Sequence, residues 1–585
     1  MLGQLLPSLD IPADGVRLVS LKTSYDEAGY QTWTVVFKSK EPAGKEMPYH
    51  EAPPKAHAKA AAMISPGHAR TPSADLTGTT PSKSIKAFLS PIDGLAETPK
   101  TFAPREEALS HGQPSVQDPR MDRIFPLKCQ AKTYDWGKRG SDSLVGRLAV
   151  HDEDFSLEAK TPYAELWMGT HKSGPSNVTL SSPWRTVTPL SDWIKLNPAL
   201  LGPPRPSSHA PAMATRRESM RRADSHSLPF LFKILSVRTA LSIQAHPDKT
   251  LAAELHIRHP EFYKDDNHKP EMAVAITPFE ALCSFQPAFS ILANCRATPE
   301  LVALVGEDAV SRLDDTATTR AAAQRASPTL GGTQSADGRD PGAAFREALK
   351  TLFARLMSAP ADQVKAQLDA LMKRVQSTNE MLRTAVDVLA MRIHAQYPGD
   401  VGVFCVYLLN YTLLQPGEAL FLAANEPHAY IFGDCAEIMA TSDNVVRAGC
   451  TSKWKDVDTL CDMLTYSDGP PCFVEPVRQP SEPHVWRYSP PAEVDEFLLE
   501  RIELPEDGLV ARMDATEGLA ILLVVNGTAA IEQLDDITDN TVGLRHQLAA
   551  GAVHLVCPNT VLRIKATSKG TQLFRAAAKP LDESI

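Results

Sequence analysis

No apolar run in the chain approaches the roughly 20 residues needed to span a bilayer, which argues against a helical membrane protein. A basic excess is also missing. The net charge is −10 over 585 residues, whereas a nucleic-acid binder presents a basic face. The opening MLGQLLPSLD has neither a basic n-region nor a long apolar h-region, so no secretory signal is expected. Nine cysteines (Cys129, Cys283, Cys295, Cys405, Cys435, Cys450, Cys461, Cys472 and Cys557) are odd in number, scattered and free of any CxxC pair. Most sit in apolar runs such as ALCSF and VFCVYLL, where Cys behaves as a small hydrophobe. A disulfide framework is thereby excluded, and a cytoplasmic chain is expected.

The length provides core for more than one domain. Residues 1–120 differ from the rest. Val16–Lys22 and Tyr30–Lys38 alternate apolar and polar around Asp26–Gly29, the pattern of a β-hairpin. From Glu41 to Arg120 the composition turns to Pro, Ala, Ser, Thr and Lys with few large apolar residues, as in disordered segments. Two further low-complexity stretches, 202–227 and 315–342, read as surface inserts. The RRES and RRADS runs in the first read either as kinase sites or as incidental basic patterns.

Elsewhere short apolar runs with Gly/Pro punctuation predict a mainly β chain, a barrel or jelly roll. Residues 343–395 break that habit. Phe345, Leu349, Leu352, Phe353 and Leu356 recur at helical spacing, followed by Val364, Leu368, Leu371 and Val375, and then Leu382, Val386, Leu389 and Ile393. The expected organisation is an N-terminal extension (1–120), a barrel in two parts (121–284 and 401–475) split by a helical subdomain (285–400), and a second β-sandwich or jelly roll (476–585). Within the last, LAAGAVHLVCPNT echoes LQPGEALFLAANEPH, as though a barrel had been duplicated and one copy had lost its polar residues.

Two stretches carry chemistry: SIQAHP at 242–247 and NEPHAY at 425–430. Residues 239–244 read as an extended strand, so Ser242, Gln244 and His246 share one face. Glu271 follows in NHKPE, and His428 lies in the second stretch beside a proline. Gln244, His246, Glu271 and His428 make a four-ligand set for a divalent ion such as zinc. With one carboxylate and three neutral donors the site keeps a net positive charge, which favours an anionic substrate or a developing oxyanion. Lys269 projects from the same strand face as Glu271, and Tyr430 from that of His428. Lys233 sits in the apolar FLFKIL, where burial demands an anionic partner: a ligand, or a carboxylate of the chain itself.

LPFLFKILS, SIQAHPDK, YKDDNHKPEMAVAITPFEALCSF, PGEALFLAANEPHAYIFGDCAEIMA and SDNVVRAG resemble the type I phosphomannose isomerases. The resemblance runs from about Met121 to the C-terminus. It implies a zinc-dependent cupin-type jelly roll with one Zn2+ per chain, acting as a monomer on a small-molecule sugar phosphate with no nucleic acid or membrane partner. The implied reaction interconverts D-mannose 6-phosphate and D-fructose 6-phosphate through an enediolate, supplying GDP-mannose synthesis and glycosylation. It also implies Arg447 as the catalytic group that steadies the enediolate, with Lys269 next. Ser242, Lys233, Lys453 and Tyr430 are the implied substrate and phosphate contacts. Glu437, Asp443 and His268 are candidates for the base or for groups that steady the ligands, and which group removes the proton stays open. In AGCTSKWKD, Ser452 stands where the family pattern leads one to expect proline. Two other readings compete: a silent sugar-phosphate binder, which has no need of Arg447, and an iron-dependent cupin oxygenase, which leaves the phosphate-directed cations unexplained.

Overall fold

The computed structural model describes residues 16–25 and 31–39 by backbone, and residues 123–180, 186–198, 226–326, 341–534 and 541–580. Val16–Tyr25 and Gln31–Ser39 form the expected antiparallel hairpin. The rest of the N-terminal extension, the 199–225 stretch with its basic-serine runs, and residues 327–340 lie outside the described residues.

The hub of the catalytic sheet is one long strand, His428–Ala440. Its first half pairs with Ile243–Ala245 and Phe279–Phe285, and its second half with Phe230–Val237 and Glu271–Ala275. The exchange of partners centres on Gly433 (φ +114°), where a Cβ would lie 2.5 Å from the Pro278 carbonyl oxygen, so glycine is required. Pleating divides the side chains. Phe232, Ile234, Met272, Val274, Ala436 and Ile438 face an outer core shared with the C-terminal region. Leu235, Ala273, Cys435 and Tyr430 line the interior. The alternation places Lys233, Glu271 and Glu437 on that interior side.

The helical subdomain is larger than its apolar stripes foretell. Pro341–Met357, Ala361–Ser377 and Ala385–Gln396 are helices, as expected, but Leu382, read as the first residue of the third stripe, lies in the short turn Glu380–Leu382 ahead of the helix and is exposed. Ala288–Ala297, Pro299–Val305 and Glu307–Ala326 are helices as well. Residues 315–326 are therefore helical where a loop was expected, because the Ala, Arg and Gln that make the segment look low in complexity are also good helix formers. No single helix among the described residues is long and apolar enough to cross a membrane.

The C-terminal region packs a nine-stranded against a four-stranded sheet around Ile502, Leu522, Val524, Ile531, Leu562 and Ile564. Gly527 (φ +76°) turns the chain after Asn526, and the strands on either side of it, Ala520–Asn526 and Thr528–Leu534, enter opposite sheets and do not pair as a hairpin. Ile124–Lys128 pairs with Val553–Val556 in the larger sheet, so the 121–284 stretch contributes to both β regions.

Candidate metal centre and active site

Three side chains meet inside the barrel, His246 from just past the strand Ile243–Ala245 and Glu271 and His428 from the first positions of their strands, all buried, with ligand atoms within 4.8 Å of one another. Each histidine is oriented from behind. His246 Nδ1 lies 2.7 Å from the Asn444 carbonyl and His428 Nδ1 3.1 Å from that of Glu426. A carbonyl only accepts, so both Nδ1 atoms carry the proton and both Nε2 atoms present lone pairs. Those Nε2 atoms have no hydrogen-bond partner, and each lies 3.3 Å from Glu271 Oε2. Two imidazole lone pairs facing a carboxylate oxygen repel one another unless a cation sits among them, so the donor set fits a divalent metal.

The electrostatics agree. Burial, with the Lys269 ammonium, lowers His246 to about 4, which keeps it neutral and able to ligate. Burial pushes Glu271 upward, yet the Lys269 ammonium beside it helps hold it well below the usual carboxylate range. Lys269 Nζ is 3.0 Å from Glu271 Oε1, leaving Oε2 directed at the histidines.

Gln244 stands next to this cluster by register. Its strand is only Ile243–Ala245, shorter than expected, and Gln244 pairs with His428 on one side and Arg447 on the other. Directly opposed residues share a face, so Arg447, Gln244 and His428 stand in a row across three strands. Ser242 is half-buried, its Oγ 3.4 Å from Gln244 Oε1. The Arg447 guanidinium is half-buried, and no carboxylate among the described residues pairs with it. Lys453 is exposed on the loop that follows.

The remaining expected residues divide by depth. The anion that meets Lys233 is Glu437, at 3.0 Å between directly paired strands. Burial alone would lower Lys233, but Glu437, Glu165 and Glu271 more than reverse this and keep it charged. Burial, together with Glu271, raises Glu437 despite the lysine. Tyr430 is buried edge-on to Phe279, and burial beside Glu437 raises its hydroxyl pKa. His268 meets Glu496 at 2.6 Å. Asp443 is half-exposed and meets His171 at 3.2 Å, a contact that lowers its carboxyl.

Sequence reading missed three contributors. Asp265 accepts from Ser442 Oγ and the Asp443 N–H, both at 2.8 Å, and so shapes the loop whose Asn444 carbonyl orients His246. An Asp in a polar turn is the one signal it gave. Glu165 and Trp167, bonded to each other, come from AELWMG, where nothing marks them as polar lining; Lys233 stands 5.2 Å over the Trp167 ring.

Comparison with known proteins accords with this geometry. Residues 124–288 match the family model of the phosphomannose isomerase type I catalytic domain, and residues 306–409 that of its helical insertion domain. Mannose-6-phosphate isomerase 1 of Arabidopsis thaliana is 40% identical over 455 residues, covering 78% of this chain and 94% of the relative. The Homo sapiens mannose-6-phosphate isomerase is 38% identical over 461 residues, with 78% and 98% covered. A crystal structure of a mutant phosphomannose isomerase from Salmonella typhimurium aligns with a TM-score of 0.59 at 26% identity, covering 78% of this chain and all of that one. A mannose 6-phosphate isomerase bound with zinc and yttrium aligns with a TM-score of 0.58 at 25% identity, with the same coverage. The chain belongs to the type I phosphomannose isomerase family.

Proposed function

We propose that the chain interconverts D-mannose 6-phosphate and D-fructose 6-phosphate with one zinc ion, held by Gln244, His246, Glu271 and His428. The observation that carries this is the pair of buried, unpartnered Nε2 atoms converging on Glu271 Oε2, in register with an arginine that meets no carboxylate among the described residues. When bound, zinc supplies Lewis-acid polarisation of the sugar oxygens. The side chains do the rest. Among the described residues no carboxylate pairs with Arg447, so its charge is free to face the enediolate oxygen. Lys269 fixes Glu271 in its ionised state and keeps positive charge beside the reacting oxygens. Ser242 and Lys453, half-buried and exposed, are the groups open to the phosphate; Lys233 and Tyr430 line the deeper wall. Glu437, with its raised pKa, and the more exposed Asp443 remain candidate proton carriers.

The proposal extends to a cytoplasmic monomer that supplies mannose 6-phosphate for GDP-mannose synthesis and glycosylation. Nine free cysteines and the net charge of −10 support the compartment and the absence of a nucleic-acid partner. The test is conversion of mannose 6-phosphate by purified protein before chelation, after it, and after zinc is restored. Activity that vanishes and returns supports the reading. Folded, zinc-loaded protein without conversion would overturn it in favour of a silent sugar-phosphate binder.

A further inference from the structure

We infer that the turn closing the helical subdomain, residues 396–400, is a positioning clamp for this reaction, holding the Gln244 strand and the Arg447 strand by separate contacts. The inference rests on the proposed isomerase activity. Ala240 is fully buried at the approach to the Gln244 strand. Its N–H donates to Gln396 Oε1 at 3.0 Å, and its carbonyl accepts from the Tyr397 hydroxyl at 2.5 Å. Both backbone groups of a residue just ahead of Ser242, Gln244 and His246 are thus satisfied by side chains of the helical subdomain.

Asp400 does the same for the other strand. Its Oδ1 accepts from the N–H groups of Gly402 and Cys450, each at 2.7 Å, and its Oδ2 from Thr451 N at 3.3 Å. Cys450 closes the Val446–Gly449 strand that carries Arg447, and it adopts φ +55°, a left-handed conformation that a non-glycine residue keeps only when held. A Cβ on Gly449 would lie 2.5 Å from Gly402 Cα and 2.9 Å from Asp400 Oδ1. Glycine there lets the turn touch the strand.

Between the two held points runs a ribbon of three residues paired with four, with Gln244 opposite Arg447. So short a ribbon has little of its own to fix its place, and displacements near 1 Å cost roughly 10²-fold in rate. None of the three metal-cluster residues comes from the helical subdomain. Its part in the chemistry is to set where the ligands and the arginine stand.

Three full-length variants test this: Tyr397→Phe, Asp400→Ala and Asp400→Asn, each assayed for zinc affinity by chelator competition, for kcat and KM, and for Tm. Tyr397→Phe is expected to weaken zinc about tenfold, as loss of a supporting hydrogen bond does at metal sites. Asp400→Ala should leave zinc affinity unchanged and lower kcat about tenfold at constant KM. Asp400→Asn, whose amide oxygen still accepts from Gly402 and Cys450, should recover most of that loss. Lower Tm with wild-type zinc affinity and wild-type turnover per zinc-loaded chain would overturn the clamp. A wild-type chain that binds zinc without isomerising would instead overturn the functional reading, and the zinc-affinity arm would still decide the Tyr397 contact.

Discussion

In the catalytic barrel, Gly417 (φ +90°) leads into the short strand Ala419–Leu422, and Asn425 (φ +62°) ends the turn before His428. In the C-terminal region, Gly551 (φ +92°) leads into Val553–Val556, and Asn559 (φ +57°) follows at the same interval, ahead of Leu562. The backbone device is the same; the side chain at its end is not. His428 presents an unsatisfied ring nitrogen to a carboxylate, whereas Leu562 is fully buried in apolar packing. Buried charges follow the same division. Glu500 is closed off by Arg575 at 2.6 Å and Arg487 at 3.2 Å, while Arg447 has no carboxylate partner among the described residues. One backbone device, used in both regions, thus serves chemistry in one and packing in the other, according to whether the polar atoms at its end are left incomplete.

The comparison can be sharpened first at its strongest point. His428→Ala should release zinc and lower turnover about 10³-fold or more, the several kcal/mol that a Lewis-acid site supplies; metal analysis beside the assay checks both. Next, Arg447→Ala should lower kcat about 10²- to 10³-fold while zinc stays bound. Equal metal loss in these two variants would break the division of roles. Leu562→Ala, at the position matching His428, should destabilise by about 2–5 kcal/mol in denaturant unfolding with zinc content and kcat per folded chain unchanged. Zinc loss there would break the comparison itself.

The smallest effect expected is on acid stability. Burial pushes Glu500 up, but Arg575 and Arg487 more than reverse it and hold the carboxyl below its usual value. A depressed carboxylate contributes stability that is complete above its unfolded pKa, about 4.3, and is lost as pH falls through the folded value. Glu500→Gln should therefore lower stability at pH 7 by about 1–3 kcal/mol and flatten the decline below about pH 4. An unchanged acid limb would show that Glu500 is not what titrates.

The three residues that meet in the cluster were legible because they sit in local patterns: SIQAHP carries His246 just past a short strand, NHKPE opens a strand at Glu271, and NEPH sets His428 after a turn. The stripes of 343–395 gave three helices for the same reason, since helical spacing is a local property. What escaped depends on distant partners. Nothing near Ile124 announces Val553–Val556 as its neighbour. Lys233 was marked as needing an anion, but only the register to Glu437 says which one. The carbonyls of Asn444 and Glu426 orient the histidines through backbone atoms, which every residue has and no motif distinguishes.

The helical subdomain lies in sequence between Glu271 and His428 and contributes neither, which bears on how the molecule is made. His428 cannot reach Glu271 until the whole inserted segment has been synthesised and the strands on either side of it have paired, a long-range closure of the kind that comes late and slowly. The metal cluster is therefore among the last features of the catalytic barrel to exist. Because binding free energy at such a site is also folding free energy, zinc capture serves as a lock on the finished chain, and metal occupancy is a direct count of the molecules that have completed it.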